Sequence, residues 1–273
     1  MAKDFRFGLG LQAARRRESV ERVARHAEDL GYDVVHMADH LYTTAPFPIL
    51  TAVAMATDRL RLGTFVLNAG FYRPALLARD VTSLRDLSGG RFELGLGTGY
   101  VEEEFAQAEL PYPSAGERVD WLRHVTKHIA EHASDVPILI AGNGDRVLRI
   151  AAQRAHIIGL TGGAPRTADV DPLADRIAFV RAEAGDRFDA LELNLSIIAM
   201  PHDDSGVPDL TIARRFLAGM SEEDMLRTPT VLTGSTSDMA DRLRQLRDDY
   251  GVTYFTVQQA YAEPFAKVMA ELR

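Results

Sequence analysis

The feature that most limits the folds open to this chain is a repeated alternation of short strands with helices. Phe5 to Leu11 reads as a strand, and Val20, Val23, Ala24, Ala27 and Leu30 then form a helical stripe that Gly31 ends. Asp33 to Ala38 is a second strand, Phe47 to Thr57 a helix, and Leu60 to Leu67 a third strand, apolar on both faces. Pro74 suits the first position of the next helix, which leads to a glycine-rich fourth strand. A loop with Pro111 and Pro113 follows, then a helix from about Gly116 to His132. Val136 to Ala141, Ile157 to Leu160 and Leu191 to Met200 are the next strands, separated by helices over Val147 to Ala155 and Leu173 to Ala184. Between Met200 and Val252 lies more than one helix, the last opening at Ser235-Thr236 with Asp238 in its first turn. Val252 to Val257 is the final strand, before a short closing helix from Pro264. Doubly buried strands joined by helices require a parallel sheet. The pattern therefore predicts an α/β chain, a single (β/α)8 TIM barrel over residues 1–273, with a doubly wound open sheet as the alternative.

The richest stretch runs from Ser83 to Phe105. Ser83, Leu84 and Leu87 continue a helical stripe, Ser88-Gly89-Gly90 stops it, and Phe92, Leu94 and Leu96 alternate as in a buried strand. Gly95, Gly97 and Gly99 leave one edge without side chains. Glycine at every second position removes packing surface, so either something approaches the backbone there or the barrel packs tightly at that point. A dinucleotide-binding turn is less well supported, because Tyr100 stands where the third glycine of that motif belongs.

Composition narrows the functional classes. With 273 residues the chain suffices for one barrel, which commonly takes about 250. Apolar residues at 46% and charged residues at 26% are those of a soluble protein. No apolar run approaches the roughly 18 residues that cross a bilayer, and MAKDFRFG carries no apolar leader, so a cytoplasmic protein without membrane contact is expected. The absence of cysteine excludes disulfides, iron–sulfur clusters and thiolate nucleophiles. A net charge of −8 argues against nucleic acid, though not against an anionic ligand held at a helix N-terminus.

In such a barrel the chemistry sits at the C-terminal ends of the strands. Here those ends are polar or glycine-rich: Asp39-His40, Asn68, Gly97-Thr98-Gly99-Tyr100, Gly142-Asn143-Gly144, Thr161-Gly162-Gly163 and Gln258-Gln259. A carboxylate beside an imidazole can fix its tautomer and make it a proton donor near neutral pH. Asp39 and His40 serve one ligand only if the strand has already become loop, and a solvated cap is the plainer alternative. The two glycine groups that precede helices suit either an anionic cofactor tail or ordinary turns. His124, His128 and His132 share one helix but flank its buried stripe of Trp121, Leu122, Val125 and Ile129, and no metal site is expected. P-loop, nucleophile-elbow and kinase motifs do not occur.

From Phe5 to about Tyr261 the chain resembles the luciferase-like superfamily of flavin and deazaflavin enzymes. The resemblance rests on Leu62-Gly63-Thr64, Arg73-Pro74 with Leu77-Ala78, Leu87 to Phe92, Gly95 to Gly99, Glu117-Arg118 and Ala141 to Gly144. It implies a luciferase-like barrel, a small organic substrate, a homodimer, and coenzyme F420 as cofactor, with FMN as the alternative. Asp39 and His40 look like the pair that touches the deazaflavin ring in F420 enzymes, which makes them the expected catalytic residues, His40 handling a proton. The expected cofactor site adds Phe65, Val66, Asn68, Gly97, Thr98, Gly99, Gly142, Asn143, Gly144, Thr161, Gly162 and Gly163. The resemblance further implies a cis peptide at Phe65-Val66, forming a bulge that presses on the ring.

Two departures from the family pattern stand out. Only Ser134-Asp135 separates helix from strand where the family carries a long excursion covering the site. Tyr100 replaces an acidic residue, and Thr161-Gly162-Gly163 a lysine region, of F420-dependent sugar-phosphate dehydrogenases, which argues against a sugar phosphate. The expected activity is hydride transfer between F420 and an organic substrate. An FMN-dependent monooxygenase and a catalytically inactive cofactor-binding or partner subunit are the alternatives.

Overall fold

The alternation closes into a parallel barrel. The computed structural model describes residues 4–12, 16–162, 165, 167 and 170–273. Its strands are β1 (Arg6–Gly10), β2 (Val34–Met37), β3 (Arg61–Thr64), β4 (Leu67–Asn68), β5 (Phe92–Gly97), β6 (Ile138–Ala141), β7 (Ile157–Leu160), β8 (Glu192–Ile197) and β9 (Val252–Gln258). They pair in the order β3-β2-β1-β9-β8-β7-β6-β5-β4, and β3 also pairs with β5, which closes the ring. Every pairing is parallel, with Leu62 opposite Phe92 and Leu67 opposite Leu96 at the closure. β3 and β4 are halves of one barrel strand, so the fold is the (β/α)8 barrel that the pattern predicts.

Around the sheet run α1 (Arg17–Asp29), α2 (Pro46–Ala56), α3 (Pro74–Leu87), α4 (Glu102–Gln107), α5 (Ala115–His132), α6 (Asp145–Arg154) and α7 (Pro172–Ala184). The connection from β8 to β9 contributes α8 (Ala213–Phe216), α9 (Glu222–Leu226) and α10 (Thr236–Tyr250), and α11 (Ala262–Leu272) closes the chain. Proline opens α3 and α7, where its missing N–H costs nothing. Reciprocal caps start α5, through Ser114 and Glu117, and α10, through Ser235 and Asp238. No helix among the described residues is long and apolar enough to cross a membrane.

Two features differ from the sequence expectation. The third strand is not continuous from Leu60 to Leu67: it breaks into β3 and β4 at Phe65-Val66, where the peptide bond is cis as the family resemblance implied. The stretch between the glycine turn and Pro111, expected as loop, contains α4, whose first turn of Glu102, Glu103 and Glu104 suits the positive end of the helix dipole.

Strand side chains alternate between two environments. Phe92, Leu94 and Leu96, like Leu193, Leu195 and Ile197, belong to the apolar layer shared by sheet and helices. Opposite faces fill the barrel, where Val34, Leu139, Ile157 and Tyr254 form an inner cluster with Phe65, Val66 and Ala141 against it. A third cluster, of Ile198, Ala199, Leu210, Ala213, Leu217, Met225 and Val231, lies within the β8–β9 connection itself.

Candidate functional site

β2 ends at Met37, so Asp39 and His40 stand in loop and escape the strict alternation of a strand. Among the described residues no hydrogen bond joins their side chains. His40 Nδ1 lies 2.9 Å from Oε1 of Glu104, a side chain buried on α4, and its ring stacks on Tyr42 with centroids 4.9 Å apart at 15°. With Nδ1 so engaged, Nε2 is the nitrogen left to meet a ligand. Asp39 instead organises the neighbouring strand end: its Oδ2 accepts the Asn68 N–H at 3.1 Å, and its carboxylate accepts the Tyr72 hydroxyl. Burial pushes the Asp39 carboxyl above the usual range, while those two donors and the nearby His40 pull the other way. The carboxylate that orients the imidazole is therefore Glu104 and not the adjacent Asp39.

Beside this pair the cis peptide at Phe65-Val66 turns the chain inward between β3 and β4. Gly95 is the residue that admits it, since a Cβ there would lie 2.0 Å from the Thr64 carbonyl oxygen. The Thr64 side chain secures the break, its Oγ1 donating to Gly95 O at 2.9 Å and accepting from Gly95 N at 2.8 Å. A Cβ at Gly97 would meet Val66 at 2.7 Å, so what approaches the glycine edge at Gly95 and Gly97 is the bulge of the neighbouring strand. Gly99 has φ +70, and a Cβ there would overlap the Asn68 side chain at 2.1 Å. Arg118 fixes this loop by donating to Gly99 O at 2.9 Å and Pro113 O at 2.5 Å, with its guanidinium 4.3 Å over the Tyr112 ring. Thr98 lies between these anchored glycines.

On the other side of the barrel, Gly144 is the N-cap of α6 and contributes no side-chain acceptor, which leaves the first amides of that helix uncapped. A cavity of about 450 Å³ opens there, lined by Asn143, Leu160, Gly162, Pro172, Leu173, Asp175 and Arg176. The first-turn carboxylate of Asp145 is matched by Arg176 at 2.5 Å. Gly142 closes against Val147, and Thr161 and Gly162 follow β7 directly, whereas Gly163 lies outside the described residues. Gln259 accepts the Gln12 N–H at 2.8 Å, tying the ends of β9 and β1 together. On α5, His132 bonds to the His128 carbonyl and stacks on the His128 ring, while His124 packs against Trp121. Among the described residues no group of three or more His, Cys, Asp or Glu is placed to hold a metal ion.

Residues 4–251 match the luciferase-like monooxygenase family. The chain belongs to that family. Among its relatives is the 5,10-methylenetetrahydromethanopterin reductase of Methanolobus tindarius, 29% identical over 185 residues, or 61% of this chain and 56% of that protein. An F420-dependent glucose-6-phosphate dehydrogenase of Nocardia farcinica is 30% identical over 215 residues, covering 66% of this chain and 64% of that one. The matched segments thus span less than two thirds of these curated relatives' length. A solved F420-dependent secondary alcohol dehydrogenase, in complex with an F420-acetone adduct, superposes with a TM-score of 0.79 over 99% of this chain and 100% of the other, at 16% identity, which establishes the shared barrel.

In this luciferase-like barrel the sequence reading missed two groups. Glu104 was hidden in a run of three glutamates within a segment read as loop; the signal available was the helix-starting acidic turn itself. His36 was read only as part of a strand. It lies at the barrel centre beneath the bulge, its ring 5.2 Å from Phe65 and its Nε2 2.8 Å from the Tyr254 hydroxyl, and among the described residues Nδ1 has no hydrogen-bond partner. Burial, with a smaller contribution from Arg6, holds this imidazole down at about 3. Further down the barrel Arg6 pairs with Glu93 and with Glu192, at 2.8 Å from the latter, and lies 4.4 Å over the Tyr254 ring, while Arg61 reaches Glu93 at 2.6 Å.

Proposed function

We propose that the chain is an F420-dependent oxidoreductase acting on a small organic substrate, with His40 as the residue that gives or takes the proton accompanying hydride transfer. The observation that carries this reading is the His40–Glu104 pair, with the carboxylate buried and the imidazole partly exposed, beside the strand ends that carry the bulge and Asn68. Two features suit the cofactor. The uncapped amides of α6 and the adjoining cavity fit an anionic tail, and the Asp39–Asn68–Tyr72 network fixes polar groups beside the bulge where a flat ring would rest. When bound, the deazaflavin supplies the hydride chemistry; the protein supplies position and the proton.

Glu104 keeps Nδ1 protonated and the ring oriented, so that a proton is exchanged at Nε2. Asp39, through Asn68, holds the loop that carries Gly99, and Arg118 holds the same loop from its far side. Phe65, Val66, Gly97 and Thr98 shape the ring's seat, while Gly142, Asn143, Gly144, Thr161 and Gly162 face the tail. Tyr100 in place of an acidic residue speaks against a sugar phosphate. The charge-free helix α2, which exposes Met55, and α3, which exposes Leu76, provide an apolar face for a homodimer.

The test is titration of the pure protein with F420 and, separately, with FMN, followed by cofactor absorption and fluorescence. Tighter binding of F420 than of FMN is expected. The opposite order would defeat the proposal in favour of the flavin monooxygenase reading.

A further inference from the structure

The barrel centre holds a polar group that the proposed chemistry does not use. His36 is 2% exposed, and its imidazole is gripped on every side that the neighbouring strands present. A Cβ at Gly8 would lie 3.0 Å from Cε1 and one at Gly63 2.9 Å from Cδ2, so the ring presses against bare backbone of β1 and β3 in a slot that only glycine leaves open. The Tyr254 hydroxyl meets Nε2 at 2.8 Å, and the Phe65 ring packs nearly parallel, 5.2 Å away at 29°. Tyr254 is fixed in turn, with the Arg6 guanidinium 4.4 Å over its ring and Arg6 itself paired with Glu93 and Glu192.

Stability does not explain an imidazole in this place. Among the described residues Nε2 is the one partner of the Tyr254 hydroxyl, so the hydroxyl donates and the proton of the neutral ring stands on Nδ1. The reverse orientation would leave the hydroxyl proton without an acceptor as well. Nδ1 is buried with no hydrogen-bond partner, a cost that an apolar ring of similar shape would not carry. A residue that weakens the fold, yet is held by Gly8, Gly63, Tyr254 and Phe65 together, is one whose place matters more than its contribution to folding. Its outer neighbour shows what that place serves. Phe65 is partly exposed where His36 is not, so the stack runs from the barrel centre outward to the bulge.

We propose that His36 is a positioning residue for the cofactor ring: the column of Arg6, Tyr254 and His36 supports Phe65 from beneath and fixes the height at which the bulge meets that ring. The proposal rests on the reading of the bulge as the ring's seat, and holds for a deazaflavin or a flavin alike. His36 touches neither cofactor nor substrate; it acts through Phe65. A seat displaced by a fraction of an ångström changes the approach of the reacting carbon, to which hydride transfer is far more sensitive than folding is.

The first test needs no turnover. In the full chain carrying isotopically labelled histidine, the ring-nitrogen resonances of His36, assigned by their loss in Tyr254→Phe/His36→Phe, should show the proton on Nδ1 and should move when F420 is added. F420 binding that leaves them in place would overturn the proposal. The second test compares two replacements in one background. Tyr254→Phe/His36→Ala removes the ring under Phe65, and should weaken F420 by about tenfold, alter the visible circular dichroism of the bound cofactor and slow single-turnover hydride transfer by roughly ten- to a hundredfold. Tyr254→Phe/His36→Phe restores a flat ring without an unpaired polar atom, and should recover F420 affinity to within about threefold. Lower stability in the alanine protein, read by urea unfolding, with unchanged affinity and dichroism would show that His36 only fills space, and would sink the proposal. If the alanine protein does not fold, the labelled-histidine titration of the unmutated chain decides. Should FMN bind and F420 not, the F420 reading fails by itself: His36 resonances that move with FMN keep the proposal, and resonances that stay end it. Binding of neither cofactor ends both.

Discussion

His36 makes the stability of this barrel sensitive to acid in a way that can be calculated. An imidazole in an unfolded chain titrates near 6.5, whereas this one, fully buried and next to Arg6, is held at about 3. Between those values the unfolded chain binds a proton that the folded chain refuses. The stabilisation is therefore complete above about pH 6.5 and is lost progressively as pH falls toward 3. Each unit is worth about 1.4 kcal/mol, so lowering the pH from about 7.5 to about 5 should cost about 2 kcal/mol through this residue alone. Replacing His36 by itself would orphan the Tyr254 hydroxyl, so the comparison is Tyr254→Phe against Tyr254→Phe/His36→Phe. Urea unfolding at the two pH values gives four stabilities. Carboxylates that titrate in the same range act alike in both proteins and cancel. The histidine-containing protein should lose about 2 kcal/mol more than its partner. Parallel losses would refute the argument and mean that the imidazole takes up its proton without leaving the fold.

The remaining predictions concern the proposed chemistry. His40→Ala should slow single-turnover hydride transfer, read from F420 absorbance, by roughly two to four orders of magnitude while changing F420 affinity little; unimpaired transfer removes His40 from the mechanism. Glu104→Gln keeps the shape of the partner but replaces its charge, and should slow the same step by roughly ten- to a hundredfold. An equal loss at every pH would count against a role through the imidazole, because a proton-handling pair must shift the profile. Gly144→Leu should fold normally, since its φ is −71° and nothing lies within 4 Å of the added Cβ, yet weaken F420 by at least about tenfold; unchanged affinity would place the tail elsewhere.

The barrel was legible because its signals are local. Pro74 at the start of α3, Ser235 with Asp238 at the start of α10 and the apolar run Ile157–Leu160 each identify an element without reference to the rest of the chain. Strand ends were legible for the same reason, as glycine and polar residues break apolar runs there. What could not be read was which side chain meets which across the barrel. Asp39 is next to His40 in sequence, yet Glu104, on another element, occupies the hydrogen-bonding distance. Gly95 announced a close approach, but only the fold shows that Thr64 makes it. His36 alternates with Val35 and Met37 as any inward residue would, and nothing in its neighbours reveals that Gly8 and Gly63 leave the room its ring fills.

The β8–β9 connection packs as a unit of its own. Its apolar cluster is separate from the core between sheet and helices, so it can vary in sequence without disturbing the strands that carry Asp39, Asn68 and Gly97. Its own ends are drawn together by the Ala199–Val231 bridge, and the bond from the Tyr261 hydroxyl to Asp209 O ties it to the chain after β9. Residues near His40 thus come from strand ends and α4, while α8 belongs to an element with its own packing. That separation predicts independent behaviour. Leu217→Ala, which opens a cavity in that cluster, should lower the stability read by urea unfolding by about 2 kcal/mol or more while leaving F420 binding within about twofold. A loss of F420 affinity in Leu217→Ala as large as its loss of stability would show that the connection supports the cofactor as well, and the separation of the two apolar clusters would not be a functional one.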